Sequence, residues 1–197
     1  MQNHIGTLRH RTVTVNPPVT GGVLQIGNGS TRVYNLILNG SDQYGKSAVI
    51  WTAAEVGAPK TITAVSLYFR SYSTPRSFPN QVIKLAMVDQ ATFNSSPDMS
   101  FSDLNLTGFV TAKAAFTFNL PNNNAWYQFT LDTPFVYDGV KNLMLVWENN
   151  WGTYQGDSGG NDGSTIANTV ITKASATAPV TGIGTRLSNR PNIKIHY

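Results

Sequence analysis

The chain has no cysteine, which excludes disulfides, thiolate metal sites and a cysteine nucleophile. It is also poor in charge: Asp, Glu, Lys and Arg make up 12% of its 197 residues, against roughly a quarter in soluble chains. No apolar run approaches the roughly 18 residues that a membrane-spanning helix needs. The opening stretch MQNHIGTLRHRTVTVNPPVTGG lacks the apolar h-region of a secretory signal. Acids are missing from both ends. Residues 1–41 hold Arg9, Arg11 and Arg32 with no acid, and residues 163–197 hold Lys173, Arg186, Arg190 and Lys194, again with none. All ten acids fall between Asp42 and Asp162, so the net charge of +4 arises at the ends and favours docking on an acidic partner. These basic residues are sparse and accompany no RRM, zinc-finger or helix-turn-helix pattern, which argues against nucleic acid as that partner.

What the chain does have is β structure. In residues 126–150, WYQFTLDTPFVYDGVKNLMLVWENN, Tyr127, Phe129 and Leu131 alternate with Gln128, Thr130 and Asp132, and Leu143, Leu145 and Trp147 alternate with Met144, Val146 and Glu148. A period of two belongs to strands, whose successive side chains point to opposite faces. Pro134, Asp138 and Gly139 supply turn residues between the runs. Further strands are expected at residues 34–38, 48–52, 61–69, 81–88, 110–118, 169–173 and 192–197, with one helical turn in the polar stretch 92–106. Eight or nine short strands with long loops suit an all-β, jelly-roll-like two-sheet antiparallel β-sandwich, with a closed barrel as its rival. The sandwich is expected over residues 25–197. Residues 1–24 read as an extended basic N-terminal arm: Thr12, Val13, Thr14 and Val15 alternate, Pro17-Pro18 stiffens the chain and Gly21-Gly22 loosens it. Such a segment buries little alone, so Arg9, Arg11, Val13 and Val15 are its expected partner-binding residues, either along a neighbour or as an added strand.

Several pieces, namely SAVIWTAAEVG, TITAVSLYF, KLAMVDQATF, WYQFTLDTPFVYDGVKNLMLVWENN and RPNIKIHY, resemble the cleaved-adhesin-like β-sandwich domains of Bacteroidetes surface and secreted proteins and of their phages. The match is by scattered motifs across residues 26–197, and LDTPFVYDG followed by NLMLVWEN is its most specific part. The resemblance implies a jelly roll used for adhesion or carbohydrate attachment. This chain departs from the family in showing one module, a basic arm and no export signal, which shifts the expectation toward a virion component.

The most conspicuous catalytic motif is Gly156-Asp157-Ser158-Gly159-Gly160, which spells the GDSGG surrounding the nucleophile of trypsin-like proteases. That chemistry needs a buried histidine oriented by an aspartate. The only histidines are His4 and His10 in the arm and the penultimate His196, so a turn-rich loop is the favoured reading. Asp132 and Asp138, flanking a turn, do not make a glycosidase pair either. In the same loop, Asp157, Asn161 and Asp162 offer oxygen donors of the type Ca²⁺ prefers, without EF-hand spacing or a closing bidentate glutamate. No cofactor is required, and these three are the candidate ligands for a cation. Trp151, Tyr154 and Asp157 are the candidate glycan site, with aromatic faces for a sugar ring and polar groups for its hydroxyls. Trp147 falls in phase with Leu143 and Leu145 and is expected in the core. Trp51 and Tyr68 are expected to pack within strands, and Trp126 to cap a hairpin. Tyr72, Pro75, Arg76 and Phe78 form a second candidate contact loop.

The sequence therefore leads to a non-enzymatic virion structural protein of a phage infecting Bacteroidetes: a capsid decoration, fibre or tail-associated subunit. It would dock through its arm on other virion proteins or on copies of itself. The second expectation is a secreted or cell-surface adhesin or carbohydrate-binding module that meets surface glycans.

Overall fold

A computed structural model describes residues 21–34, 37–38, 42–70, 75–94, 99–101, 108–120, 122–154 and 160–197. Arg9, Arg11, Val13, Val15 and Asp157 lie outside the described residues. The strands are β1 (Val23–Ile26), β2 (Thr31–Tyr34), β3 (Tyr44–Trp51), β4 (Lys60–Arg70), β5 (Arg76–Val88), β6 (Val110–Leu120), β7 (Ala125–Tyr137), β8 (Asn142–Asn149), β9 (Gly160–Ser175), β10 (Thr185–Pro191) and β11 (Ile193–His196). One helical turn, α1 (Ala53–Val56), lies in the AAEVG stretch; residues 95–98 and 102–106 of the stretch expected to hold a turn lie outside the described residues. Glu55 reaches back to accept the Thr52 N–H at 2.9 Å, and Gly57 ends the turn at φ 76°. Among the described residues the first strand of the sheet is β1, which pairs with β11 from Val23↔His196 onward.

Hydrogen bonding joins all eleven strands into one antiparallel sheet of order β1-β11-β4-β9-β3-β8-β5-β6, with β7 beside β4 and both β2 and β10 beside β9. The expected division into two separately bonded sheets is not what the ladders give. The long β9 bridges what would be the halves: its start pairs with β4 at Phe69↔Asn161 and Arg70↔Gly160, and its end pairs with β3. Rings from strands distant in this order nevertheless meet. Phe69 of β4 lies 6.2 Å from Trp147 of β8, and Phe129 of β7 lies 5.0 Å from it, nearly perpendicular. Strands that far apart in the sheet touch only if it curls. The curl is fastened between β6 and β7, where Asp132 Oδ2 accepts the Ala114 N–H at 2.9 Å and Lys113 Nζ donates to the Thr130 carbonyl at 2.9 Å.

The central strands are buried on both faces, and this explains their nearly continuous apolar runs. Val49, Trp51, Leu143, Leu145 and Trp147 face the main core, as the alternation predicts for the last three. Ala48, Ile50, Met144 and Val146 face a second cluster with Phe93, Phe101 and Val180. Phe93 and Phe101 fasten their segment over this face through N–H bonds to the carbonyls of Asn168 and Gly182. Glu148 sits beside that cluster, with Lys46 at 3.0 Å and Lys84 at 2.9 Å.

Glycines set the closest backbone approach. A Cβ on Gly163 would run into the carbonyl oxygen of Arg190, and one on Gly29 into that of Gly163. Neither obstacle is a flexible side-chain end. Gly163→Ala is therefore expected to cost about 3 kcal/mol, read as a fall of roughly 6–12 °C in melting temperature. An unchanged melting temperature would mean that β2, β9 and β10 are not packed this tightly.

Candidate functional site

A β-bulge between Ile62 and Ala64 sets the phase of β4. Beyond it Val65, Leu67 and Phe69 enter the core, so Ala64, Ser66, Tyr68 and Arg70 turn to the opposite face. The neighbours follow the same rule. Tyr127, Phe129 and Leu131 of β7, Ile193 and Ile195 of β11, and Leu24 and Ile26 of β1 point inward. Trp126, Gln128, Lys194, His196 and Gln25 therefore point outward. Cross-strand pairing aligns Gln25, Lys194, Ser66 and Gln128 in one row, and Tyr68 with Trp126 in the next.

This face is organised by small and large side chains in adjacent rows. Ser66 is short enough for Lys194 to reach diagonally past it, placing Nζ 4.4 Å from the centre of the Trp126 ring. Tyr68 meets the same indole edge-on, with centroids 5.7 Å apart at 78°. Ser66 is left only 3% exposed. Its Oγ lies 2.7 Å from His196 Nε2. Burial and the charge of Lys194 push His196 below its ordinary pKa, so the ring is neutral at pH 7. At the far end Arg70 bonds both oxygens of Asp162 and the Ser30 carbonyl, while the Arg32 guanidinium lies 4.7 Å from the centre of the Tyr34 ring. Tyr34 is 54% exposed.

Chemically the face presents the two rings of Trp126 and Tyr68, a third and exposed ring in Tyr34, the amides of Gln25 and Gln128, and cationic groups in excess of the single Asp162. Rings offer CH–π contact to a sugar, and the amides bond hydroxyl pairs. A nucleophile is a poor fit despite the Ser66–His196 contact. Ser66 lies mid-strand, with β11 and β7 paired on either side, so the nearby backbone N–H groups are committed to ladders.

The residues expected from sequence fall elsewhere. Trp151 packs at the core rim, edge-on to Phe78 at 6.1 Å, and its backbone N–H donates to Asn149 Oδ1 at 3.4 Å. Tyr154, three residues on, is 64% exposed. Asn161 and Asp162 are successive strand residues on opposite faces. Asn161 is buried and donates to the Tyr68 carbonyl at 3.0 Å, whereas Asp162 is bound by Arg70. The structure thus does not bring these two expected cation ligands together. Among the described residues no group of three His, Cys, Asp or Glu side chains is arranged to hold a metal. Phe78 of the second contact loop is fully buried. Asp138 accepts the N–H groups of Val140 and Lys141 at 2.8 and 2.9 Å, a turn role.

His196 pairs with Ala64, and Gly160, the last residue of the GDSGG motif, pairs with Arg70, six residues or about 20 Å along β4. The rest of the motif, Ser158 included, lies outside the described residues. Tyr68 and Trp126, expected from sequence to pack within a strand and to cap a hairpin, both stand on the outer face. Their phase gave the signal: Trp126 is in step with Gln128 and Thr130, the polar half of the β7 alternation. No family model matches this chain, and no curated protein or solved structure matches it either.

Proposed function

We propose that this chain is a non-enzymatic attachment protein that binds surface glycans through the outer face of β4, β7 and β11, as a virion component or as a surface adhesin. The observation that carries the reading is Trp126 and Tyr68 standing together on a sheet face rimmed by Gln25, Gln128 and Lys194. The motif resemblance to cleaved-adhesin-like domains supports it. In this reading the architecture is a jelly-roll-like sandwich made by one sheet curling on itself, supported by the packing of Phe69 and Phe129 on Trp147. The virion setting is favoured by the basic segment ahead of the sheet.

A glycan array probed with the full chain and with Trp126→Ala tests the site. Binding is expected to weaken at least tenfold in Trp126→Ala, and to survive in Trp151→Ala when circular dichroism shows that variant folded. Loss in Tyr154→Ala with retention in Trp126→Ala would move the site to the loop after β8. No glycan bound by the wild-type chain would overturn the reading.

A further inference from the structure

Ion pairing among the described residues leaves one lysine over. Lys46 and Lys84 share Glu148, Lys113 meets Asp132, and Lys141 meets Asp89. Lys60 and Lys173 donate to the carbonyls of Val56 and Thr181. Lys194 has no such oxygen partner among the described residues; its Nζ stands 4.4 Å from the centre of the Trp126 ring. A ring face attracts a cation without neutralising it. No acid near Lys194 does so either. Asp162, the single acid of this face, accepts from Arg70 with both oxygens. The row neighbours of Lys194 are Gln25 and Ser66, which carry no charge.

We propose that the ligand of this face is an acidic sugar, a uronic or sialic acid whose carboxylate pairs with Lys194. The inference rests on the glycan reading above and narrows it to one chemical class. The position of Nζ decides between neutral and acidic rings. It stands over the Trp126 face, so a neutral sugar stacking on that side must displace the ammonium and forfeit its contact with the indole. An acidic sugar leaves the ammonium in place and brings the counter-charge it lacks. A hydrogen bond between two charged groups is the stronger kind, and here it forms on a half-buried lysine against an indole, where water screens less than in the open. One unpaired cation matches one negative charge, which suits a sugar carboxylate better than the doubly charged end of a phosphomonoester. Polar groups for the hydroxyls lie on either side. Gln128 is exposed two residues along β7 from Trp126. Beyond Lys194, Gln25, Gly27 and Asn28 wall a cleft of about 420 Å³. That lies within the roughly 300–1,000 Å³ of small-molecule sites. Gln25 gives an amide N–H to the Gly27 carbonyl at 3.1 Å, which holds its side chain at the wall of that cleft and leaves its oxygen to accept from a hydroxyl.

A glycan array that includes matched pairs tests this with the full chain: oligogalacturonate beside its methyl ester, and sialyllactose beside lactose. The acidic members are expected to bind at least tenfold more tightly than their neutral counterparts, and the difference to shrink at high salt. For the tightest acidic probe, Lys194→Gln is expected to lose about tenfold and Lys194→Arg to keep most of the affinity. Lys173→Gln removes the same charge from β9 and is expected to lose nothing. Each variant is first shown to melt as the wild type does. Neutral and acidic members bound alike, through Trp126, would end this inference and leave the glycan reading standing, whereas no glycan bound at all would end both. Acidic binding that survives Lys194→Gln, that falls equally in Lys173→Gln, or that is exceeded by a sulfated probe would also overturn the proposal.

Discussion

Trp147→Ala is expected to lower the free energy of unfolding by about 3–5 kcal/mol, with a fall of roughly 6–20 °C in melting temperature. The indole is fully buried, with Phe129 5.0 Å, Phe116 5.6 Å, Phe118 6.1 Å and Phe69 6.2 Å from it. These rings come from β4, β6 and β7, so the truncation opens a cavity where the curled sheet meets itself. Backbone ladders surround it and resist collapse, which places the cost toward the upper end. A polar penalty adds to it. Trp147 Nε1 donates to Gln81 Oε1 at 2.8 Å, and Gln81 is itself fully buried. Truncation strands that oxygen, at about 1–3 kcal/mol if water does not enter. Trp147→Phe keeps much of the ring packing and isolates the polar part, so it should cost less than the alanine variant. Trp126→Ala is the internal control. The same residue type stands on the outer face against Lys194 and Tyr68, and losing that contact is worth about 1 kcal/mol. Urea unfolding of the three variants gives the comparison. Equal losses for Trp147→Ala and Trp126→Ala would contradict the assignment of one ring to the core and the other to the outer face.

These two tryptophans also show what the sequence made legible. Period-two alternation identified the strands around both and put Trp147 in the core, because one residue's phase propagates along a strand. It did not foresee that Met144 and Val146, in the opposite phase, would be covered by Phe93 and Phe101. That cover comes from a segment some fifty residues earlier in a polar stretch, and local pattern carries no record of it. Nor did the pattern reveal that β9 reaches back to Gly160: Gly160, Asn161, Asp162 and Gly163 have turn composition. Their extended form is imposed by flanking strands, with glycines at the points where β2 and β10 approach most closely. The candidate site was hidden for a different reason. A conspicuous loop with Trp151 and Tyr154 drew the glycan reading, whereas the outer face is assembled from single residues on separate strands. Only the register that sets Tyr68 opposite Trp126 and Lys194 opposite Ser66 makes them neighbours.

Arg190→Ala is expected to destabilise the chain by about 3–5 kcal/mol, because it breaks a buried pair from one side only. Arg190 is 3% exposed. Its Nη1 donates to the Ile50 carbonyl at 3.1 Å and to Glu55 Oε2 at 2.9 Å, and its Nη2 donates to Glu55 Oε1. One guanidinium therefore ties β10 to the end of β3 and to α1. Burial alone would push the Glu55 carboxyl up. The hydrogen bond and charge of Arg190, with the Thr52 N–H and hydroxyl, outweigh it and bring the pKa down to about 2. A carboxyl depressed in the fold stabilises the protein fully above its unfolded value, near 4.5, and loses that contribution as pH falls toward 2. Allowing for its partial exposure, the linked stability is roughly 1–2 kcal/mol. Removing the guanidinium leaves burial opposed only by the Thr52 hydrogen bonds. In Arg190→Met, which keeps most of the volume, Glu55 should then titrate nearer its ordinary value. The variant is less stable than wild type at pH 7, and the gap narrows on acidification, because only the wild type then loses the contribution of the Arg190–Glu55 pair. Urea unfolding of both proteins between pH 2.5 and 7 reads this directly. Parallel pH profiles would show that Arg190 does not hold the Glu55 charge, and that its contribution comes from packing against Trp51 alone.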